Sequence, residues 1–481
     1  MFNVRTVFHI LGWVLCWLGA MLFIPTAMDL AYHNNDWEVF AQAVAITCFV
    51  GIVTILSTNS PGTLKLQFRQ AYLVITLGWI LVSLFGAIPF LGMGIGFTDA
   101  VFESVSGITT TGSTILTGLD SMPPGILLWR AILQSIGGIG IIAIAVLILP
   151  FLHVGGMQLF KIESSGPSED KVASMLKTLL FLGNVYITLT GACALTYYLL
   201  GMSGFDAITH AMATLSTGGY STHDASFGYF KDPRLHWAAT FFMICGSIPF
   251  LLYVKITLGN VRALFTDEQV RGFLTLLVTA SFAMAFWLMT QREIDPFEAL
   301  TLTSFNITSV VTTTGFTTED YTAWGPGAVG VFLVLMFVGG CSGSTAGAIK
   351  IYRFQILIMV IRAHIKRLYS PNRMLPLKYN GRALPNDVPL SVLAFLSVFV
   401  ATITLITVIL SFLGLDIVTA FSASVTAITN VGPGLGSIIG PSGNFESLPD
   451  AAKWVLTFAM LAGRLEVLVL LVALDPDFWR T

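Results

Sequence analysis

Thr109-Thr110-Thr111-Gly112 is a short polar run that ends in a glycine, and the chain repeats its form three more times. The sister runs are Ser216-Thr217-Gly218-Gly219, Thr312-Thr313-Thr314-Gly315 and Thr429-Asn430-Val431-Gly432. Their last glycines follow one another at intervals of 107, 96 and 117 residues. A period of about 100 residues is too long for a solenoid and suits two membrane helices with a loop between them. An extended strand that turns successive carbonyls to one side needs a residue tolerant of positive φ, which glycine is. Non-helical backbone at membrane depth survives only where protein buries it or where it lines water. Four such loops meeting on one axis would coordinate a dehydrated cation through carbonyl oxygens, with threonine hydroxyls added at the inner end.

Composition agrees with a lipid environment. The 481 residues are 55% hydrophobic and 10% charged, with a mean hydropathy of +0.81, whereas soluble domains are roughly a quarter charged. The net charge of −2 implies no nucleic-acid partner. Cys16, Cys48, Cys193, Cys245 and Cys341 lie in apolar or small-residue stretches without paired spacing, so they are expected to pack helices. The apolar run from Val7 to Ala31 is long enough to span and lacks a clear cleavage site, so it is expected to be the first transmembrane helix.

The expected fold is an all-α membrane protein with ten transmembrane helices. Spans fall near 7–31, 38–57, 71–93, 124–152, 173–201, 235–260, 270–290, 326–365, 388–413 and 450–474. Residues 1–62 form an N-terminal helix pair, followed by four pore repeats at 63–165, 166–263, 264–383 and 384–481. Apolar segments near 98–108, 205–215, 297–311 and 416–428 are too short to span and suit half-membrane helices before each loop. With the spans alternating, 18 of the 24 Lys and Arg lie on the side of the N-terminus, five lie opposite, and Arg464 lies inside a span. Both termini are therefore expected to be cytoplasmic. The glycine loops then face outward, near Asp99, Glu103, Asp206, Asp224, Asp295, Glu298, Asp416 and Glu446. Together these carboxylates would concentrate cations, although each taken singly reads as ordinary loop solvation.

A second register runs beside the first. Trp129, Trp237 and Trp454 precede Gly138, Gly246 and Gly463 by nine residues each, and Gly340 lies 25 residues after Gly315. Each repeat is thus expected to run from half-helix to loop to an inner helix opened near its middle by glycine. In the third repeat the inner span is overlong and carries glycines at 339, 340, 343 and 347, so an intramembrane loop between two half-helices is expected there. Arg464 lies mid-membrane and must face water or a partner, which places a cation under the loops. Glu466, two residues on, would not share its helix face.

The chain resembles the Trk/Ktr/HKT potassium transporters and, within them, the bacterial TrkH branch. The most specific stretches are Gly219-Tyr220-Ser221-Thr222-His223-Asp224-Ala225-Ser226, Gly339-Gly340-Cys341-Ser342-Gly343-Ser344-Thr345, Asn430-Val431-Gly432-Pro433-Gly434-Leu435-Gly436, Gly463-Arg464-Leu465-Glu466 and Phe478-Trp479-Arg480. The resemblance implies a filter built from Thr110, Thr111, Gly112, Thr217, Gly218, Gly219, Thr313, Thr314, Gly315, Asn430, Val431 and Gly432. Glycine at all four filter positions favours potassium, since a serine at the first goes with sodium transport in some plant relatives. The resemblance also implies a gate made of Gly339, Gly340, Gly343, Ser344, Gly347 and Arg464, with Lys350 beside it. It further implies a homodimer and a TrkA-like cytosolic regulatory subunit that binds nucleotide. The basic segment from Arg362 to Arg382 is the expected contact for that subunit or for anionic lipid.

Other motifs are misleading. Gly325-Pro326-Gly327-Ala328-Val329-Gly330 matches a dinucleotide fingerprint in letters only, because no strand precedes it. His223 and Asp224 lack a nucleophile and are expected to brace a loop. No enzyme activity, covalent cofactor or metal other than potassium at the filter is expected. The expectation is a gated potassium uptake pore of the bacterial inner membrane. The alternative is a symporter coupled to protons or sodium, for which Glu103 and Glu466 are the candidate coupling groups.

Overall fold

The computed structural model describes residues 4–59, 68–147, 168–370 and 376–467, together with 471, 472, 476 and 479. The boundaries expected at 62 and 165 lie outside the described residues, as do residues 371–375 of the basic segment, Phe478 and Arg480. Among the described residues the regular structure is helical, save two very short two-stranded pairs.

Helices α1 (Val4–Ala31) and α2 (Trp37–Thr58) form a hairpin. Gly12, Gly19 and Gly51 let their backbones approach closely, with Gly19 against Cys48 and Gly51 against Cys16. The cysteines therefore do pack helices here, and all five are free.

Four helical units follow in chain order. The first has α3 (Phe68–Gly86) with a short continuation α4 (Ile88–Gly92), then α5 (Phe97–Ile108) and α6 (Pro124–Leu147). The second has α7 (Ser168–Leu199), α8 (Gly204–Leu215), α9 (Pro233–Ser247) and α10 (Phe250–Thr257), and α11 (Arg262–Thr266) links it onward. The third has α12 (Glu268–Gln291), α13 (Pro296–Val311), α14 (Pro326–Leu335) and α15 (Ile351–Tyr369). Between α14 and α15, β1 (Val338–Gly339) pairs in parallel with β2 (Ile349–Lys350). A small hairpin of β3 (Lys378–Tyr379) and β4 (Arg382–Ala383) leads to the fourth unit, α16 (Asp387–Phe412), α17 (Ile417–Thr429) and α18 (Asp450–Arg464).

Among the described residues seven helices are long and apolar enough to cross a membrane, and the α9–α10 pair, bent by 92°, makes an eighth. Helices α5, α8, α13 and α17 have 12 to 16 residues. At 1.5 Å per residue that is roughly 18–24 Å, short of a hydrocarbon core of about 30 Å. Three of them start where a short polar side chain precedes the apolar run. Ser203, Asp295 and Asp416 accept hydrogen bonds from the amides of Asp206, Phe297 and Thr419.

Each short helix packs between the helices that precede and follow it in its own unit. Three of them also touch the inner helix of the preceding unit: α8 meets α6, α13 meets α9, and α5 meets α18. The last contact closes the circle, so the four units surround one axis in chain order.

The inner helices depart from expectation in one respect. They do not all open at glycine: α6 runs unbroken through Gly137 and Gly138. The glycines serve close approach instead. Gly137, Gly246 and Gly463 each face the carbonyl of Ile108, Leu215 or Ile428, the last full turn of their own short helix. In the first unit the matching residue is Gly137, one position before the expected Gly138, which faces Ser216 of the next unit. The sharp break of the second unit has another cause. Pro249 excludes helical geometry at Ile248, which is extended at φ −84° and ψ 147°.

Candidate functional site

All four short helices end in the same way. Thr110, Thr217, Thr313 and Asn430 take left-handed backbone at φ 53° to 58°, and Gly112, Gly219, Gly315 and Gly432 follow two residues later at φ 73° to 107°. The amides of Thr111, Gly218, Thr314 and Val431 reach back five residues to Ser106, Ala213, Ser309 and Thr426, at 2.8–3.1 Å. This is the Schellman ending, in which glycine ordinarily takes the first left-handed position. Here threonine takes it three times, at a cost of roughly 1–2 kcal/mol each for a β-branched side chain. Only a surrounding structure that fixes the loop from several sides sustains such strain.

The loops close into a ring. The Gly218 carbonyl lies against Gly112, the Thr314 carbonyl against Gly219, the Val431 carbonyl against Gly315 and the Thr111 carbonyl against Gly432. A Cβ on any of these glycines would come closer than 3.0 Å to the next loop's carbonyl. Glycine is required twice over, for its backbone angle and for this approach. Hydroxyl groups bind the inner ends together. Thr109 and Thr111 share a bond of 2.7 Å, Thr312 and Thr314 one of 2.8 Å, and Asn430 Nδ2 donates to Thr111 Oγ1 at 2.9 Å.

Behind the first two loops lies a charged group that sequence reasoning misplaced. Glu103, expected among the outward-facing carboxylates, is buried and paired with the equally buried Arg130 at 2.8 Å. Arg130 also donates to the Ser221 carbonyl and stacks over Tyr220, whose hydroxyl donates to the Glu103 carbonyl. The signal was available, since an arginine and a glutamine four residues apart in an apolar span point to polar partners. The other acidic residues mostly cap or pair: Asp295 and Asp416 cap α13 and α17, and Asp99 pairs with Lys453. Of the carboxylates expected to face outward, Asp224 lines the cavity outside the loops, together with the four ring glycines.

His223 and Asp224 do brace a loop. His223 bonds Asp120 of the first unit, stacks flat on Tyr229 at 3.5 Å, and faces Asp206 at 3.5 Å, while Asp224 accepts the Leu119 amide. Partial burial opposes the imidazolium, but the Asp206 and Asp120 carboxylates outweigh it and raise the His223 pKa above its usual value. The His223 hydrogen bond holds the Asp120 carboxyl below its usual range.

On the inner side, residues 336–350 form the loop expected between two half-helices, and it is pinned against the short-helix ends. The Gly347 amide donates to Thr313 Oγ1, the Ala348 amide to the Thr429 carbonyl, and Thr345 Oγ1 to the Leu215 carbonyl. Gly339 abuts Gly347 and Gly340 abuts Ser247, while Ser344 Oγ bonds the Cys341 carbonyl. Gly343 turns the loop tip at φ 76° and its carbonyl takes the Phe250 amide. Lys350 Nζ donates back to the Ala346 carbonyl.

Arg464, at the end of α18, reaches this loop. Its Nη1 donates to the Thr345 carbonyl at 2.9 Å and its Nη2 to the Gly137 carbonyl at 3.5 Å, while Nε has no partner. Among the described residues it has no ion-pair partner. Glu466 pairs instead with Arg353, at 2.8 Å, whose guanidinium lies over the Phe395 ring. Arg464 is thus not the only basic group at depth, but it is one held by carbonyls alone.

The comparisons with known proteins fit this geometry. The TrkH family profile, described as a cation transport protein, matches residues 37–479. The chain is 44% identical over 474 residues to the Trk system potassium uptake protein TrkI of Halomonas elongata, covering 96% of this chain and 95% of that protein. It is 35% identical to the Trk system potassium uptake protein TrkH of Escherichia coli K12, over 99% of each. The crystal structure of the potassium transporter TrkH from Vibrio parahaemolyticus superposes with a TM-score of 0.91 at 33% identity, over the whole of both chains.

Proposed function

The chain belongs to the TrkH family of cation transport proteins, and from that membership we propose that it admits potassium through the ring of four glycine loops. The observation that carries this reading is the ring itself. Four equivalent carbonyls, from Thr111, Gly218, Thr314 and Val431, each lie against the glycine of the neighbouring loop. Residues Thr110 to Gly112, Thr217 to Gly219, Thr313 to Gly315 and Asn430 to Gly432 form the filter. The membrane is the bacterial inner membrane, with both termini in the cytoplasm.

The gate is the loop from Gly339 to Gly347 together with Lys350 and Arg464. A guanidinium without a carboxylate repels a cation about 5 Å away by on the order of 3 kcal/mol at an effective dielectric of about 20. Opening withdraws Arg464 and frees the loop from the short-helix ends. The transporter works as a homodimer, and a TrkA-like cytosolic subunit that binds nucleotide acts on it through the basic segment from Arg362 to Arg382. Uptake follows the potassium gradient without a coupled ion. Support for this last point comes from Glu103 and Glu466, the candidate coupling groups, which are each held in an ion pair.

The test is radioactive rubidium uptake into proteoliposomes that hold only this protein, with potassium or sodium as competitor. Uptake driven by the rubidium gradient alone, and blocked far better by potassium than by sodium, is the expected result. Uptake against that gradient, driven by imposed protons or sodium, would make the protein a symporter instead.

A further inference from the structure

The four loops are alike in backbone but not in sequence, and one difference has a visible cause. The residue before the ring glycine is Thr111, Thr314 or Val431 in three loops and Gly218 in the second. Gly218 is not among the residues with positive φ, so its backbone does not demand glycine. A neighbour does. A Cβ at 218 would overlap the side-chain amide of Gln134, which is fully buried.

Gln134 lies on α6, one turn after Arg130 and one before Gly138, and this face of the first unit holds the second unit's loop. Arg130 donates to the Ser221 carbonyl, and Gly138 meets Ser216. Between them, Gln134 Nε2 donates to the Gly218 carbonyl at 2.6 Å and its Oε1 accepts the Tyr220 amide at 3.1 Å. The two bonds fix which way the amide faces, since the Tyr220 N–H can only donate. They grip the peptide groups on both sides of Gly219. Among the described residues no side chain donates to the Thr111, Thr314 or Val431 carbonyl. Five residues after their tryptophans, the second and fourth units carry Phe242 and Ala459 where the first carries Gln134.

We propose that Gln134 is a positioning residue that makes the ring asymmetric, clamping the Gly218 carbonyl so that one ring oxygen is shared with an amide while three remain free for the ion. A carbonyl oxygen has two lone pairs, so Gly218 still faces the ion, with a weaker field and less freedom to move inward. Sodium is smaller than potassium and gains only where carbonyls close around it, so the clamp favours potassium. Gly218 is then the steric consequence of Gln134, and the two residues form a coupled pair. This inference rests on the four loops acting as the filter.

The experiment is rubidium uptake by the full-length protein in proteoliposomes, with sodium and potassium competition measured side by side. Gln134→Met keeps the volume and removes both bonds, and it should retain uptake while sodium competes about fivefold better, the factor one net hydrogen bond is worth. A ratio equal to the unaltered protein's would overturn the clamp. An unaltered protein with no preference for potassium over sodium would instead overturn the filter reading, and this inference with it. A second arm does not depend on flux. Gly218→Thr should abolish monodisperse protein in size-exclusion chromatography, and Gln134→Ala combined with Gly218→Thr should restore it. No recovery in the double variant would refute the coupling.

Discussion

At the scale of single residues, the ring glycines and Arg464 carry the sharpest consequences. Gly112 combines φ 82° with a neighbouring carbonyl that an added Cβ would meet inside 3.0 Å, so any side chain there strains its own backbone and displaces Gly218. Gly112→Ser is expected to loosen discrimination against sodium in the rubidium competition assay; an unchanged ratio would remove that loop from the ion path. Arg464 differs from the two other deep arginines in lacking a carboxylate. Arg130 and Arg353 are neutralised by Glu103 and Glu466 and brace the fold, whereas Arg464 presents net charge to carbonyls of two units. Arg464→Ala should therefore raise potassium flux through the protein reconstituted alone, by roughly tenfold or more if about 1.4 kcal/mol or more of repulsion is relieved. Equal or lower flux would assign the residue to bracing.

At the scale of elements, the loops are held by contacts between units rather than within them. The outer clasp illustrates this: His223 and Asp224 of the second unit grip Asp120 and Leu119 of the first. His223 has a pKa raised on folding, so its contribution to stability is complete below the unfolded value of about 6.5 and is lost as pH rises through the folded value. Asp120 has a lowered pKa, so its contribution is present above about 3.9 and is lost in acid. The clasp is tightest between these limits. In detergent, the thermal midpoint should be higher at about pH 6 than at about pH 9, and His223→Gln should flatten that part of the profile. A wild-type slope that persists in the variant would place the titrating group elsewhere. The same element logic explains the inner side, where the 336–350 loop is stitched to three different short-helix ends and no single helix can move it alone.

At the scale of the molecule, four units in cyclic order make one ring, and a ring of carbonyls without a cation repels itself. An ion that binds the native ring and not the unfolded chain stabilises the fold by mass action, by about 2.7 kcal/mol at a hundredfold excess over its dissociation constant. Thermal unfolding in potassium chloride should thus lie above that in sodium chloride or choline chloride at equal ionic strength. Identical midpoints would mean that the ring does not hold potassium. Of the ten expected spans, seven long helices and one bent pair are apolar and long enough among the described residues, and the third and fourth inner segments hold the shorter helices α14 and α18.

The sequence alone determined the class of the molecule, the short helices nearly to the residue and the inner loop after α14. These follow from hydropathy, glycine spacing and capping residues, which act over a few neighbours in the chain. Tertiary structure alone decided which carbonyl faces which glycine and which charges pair. It moved Glu103 from the vestibule to Arg130, gave Glu466 to Arg353, shifted the first packing glycine to Gly137, and set Gln134 against a carbonyl 84 residues away. No local pattern encodes such partners, because each contact exists only after the units close around a common axis.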